Sequence, residues 1–114
     1  MKQLTAFLQP HRLSRVVRAL HDAPRFPGFT VLEAHGQGHG RGAGGHYAPG
    51  SVDLLYHERV VLVVVCEDAE AAPLAELIAR AARTGNNGDG LVAIASLDAV
   101  LRIRDAQPLA EPNA

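Results

Sequence analysis

Two stretches have residue types that could hold a polyphosphate: Thr84-Gly85-Asn86-Asn87-Gly88-Asp89-Gly90 and Leu101-Arg102-Ile103-Arg104. Gly85, Gly88 and Gly90 let the backbone wrap closely around an anion and turn N–H groups toward it. On extended backbone Arg102 and Arg104 share one face, roughly 7 Å apart at ~3.3 Å per residue. That spacing suits two guanidinium forks on one polyphosphate. The plainer alternative is a helix C-cap and a turn, which accounts for Gly85 and for an aspartate between two glycines. The arginine pair tips the balance toward anion binding.

Histidines offer a second chemistry. Residues 36–50 hold 7 of the chain's 11 glycines, and His35, His39, His46 and His57 lie in or beside them. Imidazole is the commonest ligand for Zn, Ni and Cu. The even spacing of His35 and His39 puts both on one side of an extended backbone, and flexible glycines let His46 fold back as a third ligand. The alternative is histidine as a small polar filler of a solvated loop. Covalent catalysis finds no support: no nucleophile–base pair, paired carboxylates or H-E-x-x-H motif is present, so the chain is not expected to be an enzyme. The single cysteine, Cys66, closes an apolar run and reads as a small buried hydrophobe.

Elements to position these groups follow from periodicity. Leu4, Ala6 and Leu8 alternate as a strand stopped by Pro10. Leu13, Val16, Val17 and Leu20 form a helical stripe, and Leu74, Leu77, Ile78 and Ala81 a second one. Further strands are expected at Phe29–Ala34, at Arg59–Cys66, at Leu91–Ala95 and at Val100–Arg104. The continuous Val60–Val65 run predicts a central strand buried on both faces. The order βαββαβ defines an α+β, ferredoxin-like sandwich with both helices on one face of the sheet. A chain of 114 residues has no third layer for the other face, so self-association is the expectation. Residues 1–104 form the single domain, 36–53 a long mobile loop within it, and 105–114 a flexible tail. With 11 basic and 12 acidic residues there is no nucleic-acid patch. The longest apolar run is too short to cross a bilayer and no signal peptide is apparent, which predicts a cytoplasmic protein.

The Ala82-Arg83-Thr84-Gly85…Gly88-Asp89-Gly90 text, combined with Leu101-Arg102-Ile103-Arg104, resembles the PII signal-protein family, trimeric nucleotide sensors of carbon and nitrogen status. Met1-Lys2-Gln3-Leu4, Gln9-Pro10, Arg18-Ala19-Leu20 and Pro27-Gly28-Phe29-Thr30-Val31 extend the likeness over most of the chain. The resemblance implies a homotrimer with ATP, ADP or AMP in clefts between subunits. Gly36, Gly38, His39, Gly88, Asp89, Gly90, Arg102 and Arg104 would line each cleft, and Phe7, Thr30 and Val64 would stand where the nucleobase is held. It also implies a protein target, such as a membrane transporter, docked by loop 36–53.

Departures from the family pattern are equally specific. Leu91 replaces the lysine that follows Gly-Asp-Gly. At the loop root His39 stands for the phosphate-binding arginine, and Gly40 for the glutamine that holds 2-oxoglutarate with Mg²⁺. The lysine that caps that ligand falls near His57-Glu58-Arg59, with Glu58 at the aligned position, where a carboxylate would repel a dicarboxylic acid. The expected result is a nucleotide-responsive regulator that does not sense 2-oxoglutarate. Alternatives are a metal-binding trimer using His35, His39 and His46, tied to heavy-metal homeostasis, and a bicarbonate-linked sensor. Tyr47 is the one loop tyrosine available for uridylylation, in surroundings unlike the family's.

Overall fold

In β1 (Lys2–Leu8), Leu4, Ala6 and Leu8 turn to one side and are fully buried, while Gln3, Thr5 and Phe7 turn to the other. This period of two is what a strand covered on one face requires. The computed structural model describes residues 1–36 and 57–109. A 3₁₀ turn at Pro10–Arg12 leads into α1 (Leu13–Asp22), whose Val16 and Leu20 are completely buried. In the last turn of α1, His21 stacks on Phe26 with ring centroids 4.4 Å apart, and Phe29 meets both rings edge-on. This cluster ties the 23–29 link to the helix end before β2 (Thr30–Gly36) begins.

The chain next enters β3 (His57–Cys66), then α2 (Asp68–Ala82) and β4 (Gly90–Ser96). Asp68 and Glu70 occupy the first turn of α2, where carboxylates complement the helix dipole. The N-terminal ammonium reaches Asp68 at 2.8 Å. The four strands pair antiparallel in the order β2-β3-β1-β4. Leu4, Ala6, Leu8, Leu62, Val64 and Cys66 form one core with Val16 and Leu20 of α1 and Ala71, Leu74, Ile78 and Ala82 of α2. Both helices therefore lie on one face of the sheet: an α+β ferredoxin-like sandwich. Cys66 is fully buried in that core, and burial pushes its thiol pKa up.

In the Val60–Val65 run, Val60, Leu62 and Val64 are buried, whereas Val61, Val63 and Val65 are half-buried on the helix-free face, which the protomer has no third layer to cover. Phe7, Leu32 and Leu91 stand exposed on that same face.

No strand runs through Val100–Arg104. Leu101 makes an isolated bridge to Pro108, and Ile103–Asp105 is a turn. Asp105 causes it, because its carboxylate accepts from Arg102 Nε and Nη2 and from the Gln107 N–H. A side chain that captures local donors in this way offers the backbone an alternative to the sheet.

Nor does the tail begin at Asp105. The Arg102 N–H donates to Gln107 O at 2.9 Å and the Leu109 N–H to Val100 O at 2.8 Å, so structure continues to Leu109. The expected loop at 36–53 lies outside the described residues, save Gly36.

Gly90, at φ +104°, carries the tightest backbone constraint. A Cβ built there would sit 1.7 Å from the Phe7 carbonyl oxygen, whereas one on Gly88 (φ +88°) would meet nothing nearer than 3.7 Å. Gly90→Ala should therefore destabilise the fold by about 2–4 kcal/mol, combining left-handed strain with an unavoidable collision. Gly88→Ala should cost about 1–2 kcal/mol, from conformation alone. Urea unfolding midpoints of the two variants test that order.

Candidate functional site

The glycine-rich loop starts where α2 runs out. Arg83 adopts extended backbone as the C-cap, and Gly85, Gly88 and Gly90 all take positive φ, which lets the chain double back into β4. Asp89 holds the loop from inside. Its carboxylate accepts from the Thr84 N–H and the Gly85 N–H at 2.9 Å each, and from the Thr84 hydroxyl. The Thr84 hydroxyl hydrogen bond, followed by that from the Thr84 N–H, holds the Asp89 carboxyl below its ordinary pKa. Asp89 thus faces the loop's own backbone. Thr84 Oγ1 accepts from the Asn86 N–H. Among the described residues, the N–H groups of Asn87 and Gly88 donate to nothing. Consecutive N–H groups without partners in a glycine-rich turn are the kind of donors that an anion can use.

A cation lies beside them. The guanidinium of Arg59, on β3, comes so close that a Cβ on Gly88 would be 3.7 Å from Arg59 Nη2, and a Cβ on Gly36 would be 3.9 Å from Arg59 Cγ. Arg59 therefore spans from the end of β2 to the glycine loop. Glu58, the residue aligned with the family's lysine, is exposed. Its neighbour Arg59 carries the positive charge that lies near the glycine loop. Sequence reasoning did not single out Arg59, because its approach to Gly88 is a contact across 29 residues that no local pattern encodes.

Gly36, Arg59, Gly88, Asp89 and Gly90 thus gather at one end of the sheet. Phe7 and Leu91 border a cleft of about 240 Å³ there, between α2 and the β1–β4 pair, with Arg83 and Asp89 on its polar side. The segment that carries Arg102 and Arg104 leaves the sheet beside Met1, whose carbonyl accepts from the Leu97 N–H at 3.1 Å, while Gly90 pairs with Leu8 at the opposite end of β1. Six residues of strand separate those ends by about 20 Å. No hydrogen bond or ion pair joins the arginine turn to the glycine loop among the described residues.

Arg102 and Arg104 do not share a strand face: Arg102 is bound to Asp105 and Arg104 is exposed in the turn. Val64 is 1% exposed, so its side chain belongs to the core. Thr30 is exposed at the start of β2. Gly38, His39 and His46 lie outside the described residues. His35 is exposed on β2, opposite Glu58. Among the described residues, no three histidine, cysteine, aspartate or glutamate side chains gather as a metal group.

Comparison with known proteins adds a family. The family model described as nitrogen regulatory protein P-II matches residues 1–107. The chain is 35% identical over 109 residues to nitrogen regulatory protein P-II 2 of Methanothermobacter thermautotrophicus, covering 94% of this chain and 92% of that one. It is 37% identical over 112 residues to nitrogen regulatory protein P-II of Rhizobium meliloti, and 34% identical over 107 residues to that of Azospirillum brasilense. Each of these two matches covers 94% of this chain and 95% of the relative.

The lowered pKa of Asp89 has a testable sign. A carboxyl whose native pKa lies below its unfolded value adds stability that is complete above the unfolded pKa and is lost as pH falls through the native one. Carboxyl NMR should show Asp89 titrating below an ordinary aspartate. Asp89→Asn should speed amide exchange at Thr84 and Gly85 at neutral pH and abolish its acid-side dependence.

Proposed function

The chain belongs to the nitrogen regulatory P-II family, and from that premise we propose that it is a non-enzymatic regulator binding adenine nucleotides in the clefts of a homotrimer. The glycine end of one protomer would meet the arginine turn of the next. The observation that carries this reading is the pair of free N–H groups at Asn87 and Gly88 with the Arg59 guanidinium beside them. Phosphate fits such a site, which offers dipoles and a cation and keeps the Asp89 carboxylate turned inward. Among the described residues no hydrogen bond or ion pair joins Arg102 or Arg104 to the glycine loop, which fits a cleft shared between protomers. So does the uncovered face bearing Phe7, Leu32 and Leu91, which needs a partner surface.

Nucleotide state would then act on a protein target, such as a membrane transporter, through residues 36–53. No helix among the described residues is long and apolar enough to cross a membrane, and a cytoplasmic partner of a transporter fits the reading. Leu91 in place of a lysine leaves an apolar wall beside the phosphates, so ADP and AMP should compete well with ATP. Gly40 has no carboxamide to help hold 2-oxoglutarate, so that signal would go unread. Arg59 offsets the repulsion expected from Glu58, so this part of the reading rests on Gly40.

Calorimetric titration tests the nucleotide reading directly. ADP and ATP should bind, and Arg104→Ala should weaken both by about 1.5–3 kcal/mol, roughly 10- to 150-fold, the range for charge-assisted hydrogen bonds. Arg102→Ala should cost less, since Asp105 already occupies that guanidinium. Unchanged affinity in both variants would exclude the arginine turn from the site. Millimolar-or-tighter 2-oxoglutarate binding alongside Mg-ATP would overturn the claim about that effector.

Assembly has its own readout. At micromolar concentration the protein should sediment as a trimer, and charged replacements at Val63 or Leu32 should shift it toward monomer. A monomeric parent chain would remove the shared cleft.

A further inference from the structure

The glycine loop is held at both ends by one short segment. Arg12 Nη2 donates to the carbonyls of Ala81 and Arg83, each at 3.0 Å, where α2 ends and the loop begins. Gln9 Nε2 donates to the Gly88 carbonyl at 2.9 Å, where the loop turns back toward β4. The two donors are linked by the 3₁₀ turn Pro10–Arg12, closed by the Arg12 N–H on Gln9 O at 3.0 Å, with Pro10 fixing its first φ. Their separation is thus set by a rigid turn. Arg12 Nε is buried and has no partner among the described residues, so the guanidinium is committed to the helix end. Its charge also favours the ionised state of Asp89, the group that closes the loop from within.

We infer that Gln9 and Arg12 are positioning residues for anion binding: together they hold the glycine loop so that the Asn87 and Gly88 N–H groups face a ligand rather than one another. Neither touches that ligand. Arg12 satisfies carbonyls that a helix terminus leaves without partners. Gln9 engages the Gly88 carbonyl, which keeps that peptide from flipping and fixes where the adjoining N–H groups point. The loop would then be organised before a phosphate arrives, and less ordering would be needed on binding.

This inference rests on the nucleotide reading, and its test separates the two. Arg12→Met keeps the stem and deletes the donors, Arg12→Lys restores a cation, and Gln9→Ala removes a single exposed hydrogen bond. Two quantities are measured in each variant: amide exchange, and ADP affinity by calorimetry. In Arg12→Met, exchange at Thr84 and Gly85 should accelerate about tenfold and ADP affinity should fall about tenfold, the effect of losing roughly one well-made hydrogen bond. Exchange in β1 and β3 should stay as in the parent, Arg12→Lys should recover part of both losses, and Gln9→Ala should show a smaller loss of the same kind.

A loop that loosens while ADP affinity holds, or parental values of both quantities in Arg12→Met and Gln9→Ala, would overturn the inference. Should Arg12→Met fail to fold, Gln9→Ala decides by the same pair of measurements. A parent chain that binds no ADP defeats the nucleotide reading alone; exchange at Thr84 and Gly85 in the variants then supports or overturns the clamp.

Discussion

The close approach of Gly90 to the Phe7 carbonyl is the constraint on which the rest of the arrangement depends. Only a residue without Cβ can begin β4 there, and that start sets the Leu8↔Gly90 register along the whole β1–β4 pair. With Gly90 anchored to β1 and Ala82 buried in the core at the end of α2, the seven residues between must turn sharply. The positive φ at Gly85 and Gly88 is the consequence. Asp89 follows from the same geometry: the tight return brings its carboxylate back onto the Thr84 and Gly85 N–H groups. What resembles a ligand loop is first of all a solution to joining a helix to an edge strand in little space.

That solution gives the sheet two unlike ends. At one end lie the glycine loop, the Arg59 guanidinium and the end of β2 at Gly36. At the other lie the N-terminal ammonium with Asp68 and the exit of β4 beside Met1. Antiparallel pairing makes this unavoidable, because β4 enters beside Leu8 and leaves beside Met1.

The frame of the molecule was legible because it obeys simple periods. Leu4, Ala6 and Leu8 announce a one-sided strand, and Val16 with Leu20, or Leu74 with Ile78, announce helices that face it. The glycine loop was legible as a turn with anion-binding potential. Side-chain capture was not. Leu-Arg-Ile-Arg has a strand's alternation, but Asp105, three residues beyond Arg102, supplies a better local partner than a neighbouring strand would. Strand parity places the Val64 side chain in the core. Arg59, Arg12 and Gln9 act across 29, 69 or more residues of chain, and no local pattern encodes such pairings.

The charge balance at the glycine end bears on which phosphates it can distinguish. Asp89 spends its charge on the loop's own N–H groups, and Leu91 adds none, so a ligand at Asn87 and Gly88 meets two peptide dipoles and one guanidinium. A unit-charge pair 4 Å apart at a protein surface is worth about 4 kcal/mol before desolvation, and one cation can make that contact with only one or two oxygens. Further negative charge on a longer phosphate chain must find its partner elsewhere. Arg104, exposed and without an ion pair among the described residues, is the cation best able to supply it. In the proposed trimer, discrimination between di- and triphosphate would then reside in how two protomers meet, not in the glycine loop.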